Sequence, residues 1–273
     1  MKTLFISDLD GTLLTSEQKL SPLTEAVLNE VLDAGICFSF ATARSAITAR
    51  KVTAGIRVNF PMVVYNGAFI MESESRRILL SNFFDESDAR AILIQLLAAD
   101  VFPVVYSCSD GCEAFRFHAQ KSSPGVLDFV GSRGEDPRKT PVFSVEELFT
   151  PDTFYFTCID RVEKLESLYH SLSKDYRCLF YKDIYSGEQW LEIMPKYVGK
   201  ARAAKQLAHY LGCGRIVAFG DAGNDVDLFQ AADECYAVAN AVPELKAIAT
   251  GVIGSNNDDG VARWLMENYR RYE

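Results

Sequence analysis

Two aspartates one residue apart close an apolar strand at the start of this chain: Thr3-Leu4-Phe5-Ile6-Ser7-Asp8-Leu9-Asp10-Gly11-Thr12. In a strand, residues i and i+2 leave on the same side, so Asp8 and Asp10 begin as neighbours. Carboxylates that close are tolerated only with a cation beside them or a proton on one of them. A strand end loaded in this way points to chemistry. Asp-Gly by itself is an ordinary turn, and Asp-x-Asp-Gly also opens calcium loops, which need a glutamate at the twelfth position. Counted from Asp8 that position is Lys19, which excludes a calcium loop.

The remaining totals bound the answer. With 273 residues, 48% hydrophobic and 24% charged, the composition is that of a folded soluble protein of one large domain or two smaller ones. A net charge of -9 recommends no nucleic-acid partner and means that an anionic substrate needs local cations or a metal. No stretch approaches a membrane span and the first residues do not read as a signal peptide, so a cytoplasmic protein without membrane contact is expected. The seven cysteines, several inside apolar runs (Cys37, Cys158, Cys178, Cys235), suggest buried free thiols. Cys108, Cys112 and His118 lack the spacing and the fourth ligand of a zinc site.

Along the chain, strand 3–8, a helix opening at Ser21-Pro22 and ending at Gly35, strand 36–42, a helix over 45–54 and strand 62–65 read as βαβαβ, hence a parallel sheet. The C-terminal part repeats the pattern: helix 199–211, strand 215–219, helix 224–232, strand 235–239, and helices near 243–249 and 259–271. Between them lie helix 86–99, strand 101–107, an irregular stretch over 110–141, strand 154–159, helix 161–173 and strand 177–184, which read as an inserted second domain. The expected division is 1–81 with 186–273 as the core and 82–185 as the insert, with hinges near 80–84 and 184–189.

Ligands of a parallel α/β sheet bind beyond the carboxyl ends of its strands. Asp8, Asp10, Thr42, Arg44, Asn66, Asp221, Asn224 and Asp225 all follow strands, and Lys200 opens a helix. Carboxylates, an amide, a hydroxyl and a lysine at one edge suit a hard cation plus a phosphate.

Asp8-Leu9-Asp10-Gly11-Thr12-Leu13, then Thr42, Lys200 and Gly220-Asp221-Ala222-Gly223-Asn224-Asp225 resemble, in order and spacing, the four motifs of the haloacid dehalogenase-like hydrolase superfamily, and most nearly its Cof-type (IIB) branch. Val238-Ala239-Asn240-Ala241-Val242-Pro243 and Asn256-Asn257-Asp258-Asp259-Gly260 are similar to that branch as well. Thr42-Ala43-Arg44 stands where Thr-Gly-Arg is more usual, and Ala201 where glycine often follows the lysine.

The resemblance implies a Rossmann-like α/β core with an inserted α/β cap of the C2B type. It further implies a Mg²⁺-dependent phosphatase acting through an aspartyl-phosphate on a small phosphorylated metabolite such as a sugar phosphate. In that scheme Asp8 is the nucleophile, and Asp10 is the acid for the leaving oxygen and then the base for water. Asp8, Asp221 and the backbone carbonyl of Asp10 hold the metal. Leu9, Thr42, Ala43, Lys200 and Asn224 bind phosphate; Asp225 and Arg44 support the site, and Asn66 and Gly67 line its mouth. Lys196 and Lys205 read as solvent-facing, His118, His170 and His209 receive no role, and Tyr181, Tyr185 and Trp190 read as cap packing. A phosphotransferase or mutase would use the same nucleophile, and a non-catalytic phospho-ligand binder or a receiver-like signalling domain is the remote alternative. A monomer or a homodimer is expected.

Overall fold

The structure, a computed structural model, describes residues 2–57, 60–75, 77–183 and 187–272. In chain order the first elements are β1 (Thr3–Ser7), α1 (Pro22–Asp33), β2 (Cys37–Phe40), α2 (Ala46–Val52), β3 (Met62–Val64), β4 (Phe69–Met71) and β5 (Ile78–Ser81). Next come α3 (Glu86–Ala98), β6 (Val104–Ser109), β7 (Cys112–His118), α4 (Pro124–Ser132), β8 (Lys139–Val142), β9 (Thr153–Ile159), α5 (Val162–Leu172), β10 (Arg177–Lys182) and β11 (Gln189–Met194). The chain ends with α6 (Lys200–Tyr210), β12 (Arg215–Gly220), α7 (Val226–Ala231), β13 (Glu234–Val238), α8 (Pro243–Ile248), β14 (Gly251–Ile253) and α9 (Gly260–Asn268).

These elements form two compact units, Met1–Ser81 with Val198–Glu273, and Asn82–Tyr197. The return boundary expected at 185/186 is therefore corrected to 197/198. The reason is β11: its residues pair antiparallel with β10 (Tyr181 opposite Trp190) and with β9 (Glu192 opposite Thr157), which ties them to the second unit. Part of the expected second hinge, residues 184–186 with Tyr185, lies outside the described residues.

The first unit is built on a wholly parallel sheet in the order β14-β13-β12-β1-β2. β1 and β2 are buried on both faces, every residue of each being buried, as suits a parallel sheet covered by helices. α1 and α2 start where the sequence caps them. The Ser21 hydroxyl accepts the Thr24 amide at 3.0 Å ahead of Pro22, and Ser45 accepts the Thr48 amide at 3.2 Å. The expected third parallel strand needs correction. Over β3 the link to the main sheet is one parallel bridge, Ala41 to Val63, and β3 otherwise pairs antiparallel with β4 in the small sheet β3-β4-β5.

The second unit carries a six-stranded sheet, β10-β11-β9-β6-β7-β8. Its core packs Ile92, Leu93 and Leu96 of α3 and Leu165 and Leu168 of α5 with Val105, Phe156, Leu191 and Ile193 of the strands. The stretch 110–141 is not irregular: it holds β7, α4 and β8. Asp110 and Gly111, both with positive φ, make the two-residue turn that sets Ser109 opposite Cys112. His118 is buried there, its Nδ1 accepting the amides of Gln120 and Lys121. All seven cysteines are free thiols, and Cys112 is exposed. Lys196 and Lys205 are exposed, as expected. Among the described residues no helix is long and apolar enough to cross a membrane.

Candidate active site

β1 and β12 are neighbours in the sheet, so the ends of two distant sequence segments meet. The Asp8 amide donates to the Phe219 carbonyl at 3.0 Å, which places Asp8 beside Asp221. After Asp8 the chain turns sharply through Leu9–Leu13, closed by the Leu14 amide on the Leu9 carbonyl at 2.9 Å. Gly11 stands at φ +74, and a Cβ on it would run into the Asp221 carboxyl. Glycine is thus required twice over, by conformation and by space. Thr12, one residue on, donates its hydroxyl to Asp221 Oδ1 at 2.7 Å.

Lys200 is the centre of the cluster. It is 0% exposed, and its Nζ lies 3.0 Å from Asp8 Oδ1 and 2.7 Å from Asp225 Oδ1. Burial works against its charge, but the Asp225 and Asp8 carboxylates outweigh it and hold the ammonium above its ordinary pKa. Asp225 is fully used: its other oxygen, Oδ2, accepts the amides of Asp221 (3.0 Å) and Ala222 (3.2 Å). Asp225 therefore orients Lys200 and shapes the loop after β12. Burial, the largest effect, pushes the Asp8 carboxyl well above the ordinary carboxylate range; Lys200 pulls it down, and Asp225, Asp221 and Asp10 push it up again. Burial and then the Asp225 charge push Asp221 up to about 7.

Two carboxylates, Asp8 and Asp225, thus share one ammonium, and a third, Asp221, stands beside them. Oxygens of Asp8, Asp221 and Asp225 lie within 4.8 Å of one another. With Asp225 committed to Lys200 and two amides, Asp8 and Asp221 are the groups with lone pairs to spare. A donor set of oxygens only, with uncompensated negative charge, fits a hard divalent cation. The Asp10 side chain is outside this cluster. Both its oxygens accept from Arg44, Nε to Oδ2 and Nη2 to Oδ1, each at 2.6 Å, which leaves the Asp10 carbonyl as the group the metal expectation requires.

The loop after β2 carries Thr42, buried, and Ala43, exposed; the Arg44 amide donates to the Thr42 hydroxyl at 3.1 Å. Asn66 and Gly67, expected to line the mouth of the site, are both buried, and Asn66 Oδ1 accepts from Asn224 Nδ2 at 3.2 Å. Sequence reasoning missed Thr12, Gln18 (whose Oε1 takes Arg44 Nη2 at 2.9 Å) and Asn240 (whose Nδ2 donates to the Gly11 carbonyl at 2.7 Å). Gly-Thr directly after Asp10 was the available signal for Thr12.

Comparison with known proteins agrees with this geometry. The sequence model of a family described as haloacid dehalogenase-like hydrolase matches residues 5–265. The chain is 27% identical to the 5-amino-6-(5-phospho-D-ribitylamino)uracil phosphatase YwtE of Bacillus subtilis, over 94% of this chain and 95% of that one. It is 26% identical to the phosphatase YitU of the same organism and of the same description, over 96% of each. Among solved structures, TM0651 of Thermotoga maritima superposes with a TM-score of 0.79 at 26% identity, over 98% of this chain and 97% of that one.

Proposed function

Since the chain belongs to the haloacid dehalogenase-like hydrolases and is a phosphatase of that family, we propose that it hydrolyses a small phosphorylated metabolite through an aspartyl-phosphate on Asp8, with Mg²⁺ as cofactor. The observation that carries this reading is the buried Lys200 held between Asp8 and Asp225, with Asp221 alongside. That arrangement gives a carboxylate nucleophile, a fixed cation for phosphoryl oxygens, and an oxygen site for a metal.

In this reading an Asp8 oxygen attacks phosphorus while the bond from phosphorus to the leaving oxygen breaks, and Asp10 delivers a proton to that oxygen. Asp10 then takes a proton from water, whose oxygen attacks the aspartyl-phosphate, releasing inorganic phosphate and restoring Asp8. Lys200 and Thr42 hold the non-bridging oxygens, with Asn224 and the backbone of Leu9 and Ala43 nearby in the same role. Asp8, Asp221 and the Asp10 carbonyl would hold Mg²⁺, which, when bound, offsets the charge of nucleophile and phosphate together.

Residues 82–197 are proposed as the unit that selects the leaving group. The Bacillus subtilis relatives are named for a phosphorylated ribitylaminouracil, which supports a sugar or polyol phosphate as the class to test first. The test is phosphate release from sugar and polyol phosphates, nucleotides, flavin and pyridoxal phosphates and para-nitrophenyl phosphate, with Mg²⁺, with chelator, and with Asp8→Asn. Mg²⁺-dependent release that the variant lacks is expected; release that survives in Asp8→Asn would sink the nucleophile.

A further inference from the structure

Tyr65, Asn66 and Gly67 take positive φ in succession, +50, +52 and +100. The left-handed region is unfavourable for residues with a Cβ, and two such residues followed by glycine, all buried, make a strained segment. The segment joins β3 to β4, with Val64 paired to Phe69, and three left-handed residues in a row, one of them a tyrosine, exceed the two that a tight hairpin turn takes. What the turn does is touch three separate parts of the site. The Asn66 amide donates to the Thr42 carbonyl at 2.9 Å, and the Tyr65 amide to the Arg44 carbonyl at 3.0 Å. The Asn66 side chain, 1% exposed, takes the Asn224 amide. Gly67 meets the backbone of Gly199: a Cβ there would lie 2.5 Å from the Gly199 oxygen and 2.7 Å from its carbonyl carbon. That same carbonyl accepts the Ala203 amide at 3.1 Å, the first helical bond of α6, next to Lys200.

We infer that this turn is the common abutment of the site, and that Asn66 and Gly67 are positioning residues that set Asn224 and the start of α6, and so Lys200, without touching substrate. The inference rests on the phosphatase reading above. It gives the strain a use: the turn reaches the loop after β2, the loop after β12 and the start of α6 at once. Asn66 acts through its side chain and Gly67 through the absence of one.

Two variants separate positioning from folding. Asn66→Gly keeps the left-handed backbone, which glycine adopts freely, and removes only the amide held by Asn224. Gly67→Ala pushes on the Gly199 carbonyl. Thermal unfolding, with and without inorganic phosphate, is measured beside kcat and KM on para-nitrophenyl phosphate.

For Asn66→Gly the expected result is an unfolding temperature within about 3 °C of wild type, because glycine suits the site. Its kcat falls about tenfold at nearly constant KM, the mark of lost alignment. For Gly67→Ala the fall is about a hundredfold, and phosphate no longer protects against unfolding. Wild-type kcat in the folded Asn66→Gly protein overturns the inference, and so does a change confined to KM, which would make Asn66 a substrate contact. Should Gly67→Ala fail to fold, Asn66→Gly decides alone. If the wild type releases no phosphate from any compound of the panel, the phosphatase reading fails first and this inference with it.

Discussion

Arg44 grips Asp10 through both carboxylate oxygens, Nε on Oδ2 and Nη2 on Oδ1, each at 2.6 Å. The planar guanidinium matches the carboxylate, so the pair fixes direction as well as charge. An aspartate in this grip is oriented, yet both its oxygens are occupied, and one must be freed before Asp10 can hand a proton to a leaving group.

Arg44→Ala is therefore expected to lower kcat on a sugar phosphate roughly ten- to a hundredfold through lost orientation of Asp10. The loss on para-nitrophenyl phosphate is expected to be smaller, because that leaving group departs with little help from an acid. Arg44→Lys should recover little, since an ammonium cannot present the same fork. Equal losses on both substrates, in steady-state kinetics, would show that Arg44 serves the phosphate and not Asp10.

Lys200→Met removes the ammonium that Asp8 and Asp225 share. Breaking a buried pair from one side leaves carboxylates without compensation, and about 3–5 kcal/mol of stability should go with it. Catalysis is expected to fall by roughly two to three orders of magnitude, because the fixed cation for the phosphoryl oxygens is gone. Denaturant unfolding checks the first figure and kinetics the second. Lowering the pH toward 5 should restore part of the stability, since protons then take over the neutralising role. A variant as stable as wild type would contradict the charge balance described for the cluster.

The parts of this site that were legible in the sequence are those tied to strand ends. Asp8, Thr42 and Asp221 follow β1, β2 and β12, and a parallel sheet brings such positions together whatever the sequence distance. Partners across the turns were not legible: nothing local says that Thr12 reaches Asp221 or that Gly67 meets Gly199, because tertiary packing sets both. In the second unit, the hairpin signal of Asp110-Gly111 is submerged in a polar stretch. β11 carries a weak strand pattern, because Gln189-Trp190-Leu191-Glu192-Ile193-Met194 alternates polar and apolar residues only loosely, and it sits beside a segment expected to be a hinge. β3 reads like a central strand by composition, but its residues pair antiparallel with β4, and the link to the main sheet is the one bridge from Val63 to Ala41.

The pH dependence of stability follows from the carboxyls whose folded values are raised. Asp221, pushed up to about 7, and Asp8 bind protons in the folded state that the unfolded chain has already released. Between about pH 4 and 7 the native state thus holds more protons, so the metal-free protein loses stability as pH rises through that window. Mg²⁺ competes for the same oxygens and binds only after the protons leave. The gap in unfolding temperature between 10 mM MgCl₂ and chelator, both conditions set by the experimenter, is expected to be near zero at about pH 5 and to widen steadily toward about pH 8. A gap that does not change with pH would place the metal elsewhere.

Thr12→Val tests the support of the metal site without adding or removing charge. The Thr12 hydroxyl is buried and spends its one proton on Asp221 Oδ1 at 2.7 Å. That bond favours the ionised carboxyl and pulls Asp221 down against burial and Asp225. Valine fills the same space without the donor, so the fold should stay close to native while the Asp221 carboxyl moves further up and loses a constraint on its orientation. Partners that orient ligands in this way are typically worth about 10- to 100-fold in metal affinity. The Mg²⁺ concentration giving half-maximal rate is expected to rise by roughly tenfold in the variant. The rise should be larger at pH 6 than at pH 8, since at pH 8 Asp221 is ionised more fully in both proteins. Thr12→Ser, which restores the donor, should return most of the affinity. If serine and valine behave alike, the hydroxyl is not what prepares Asp221 for the metal, and the side chain matters at that turn only for packing.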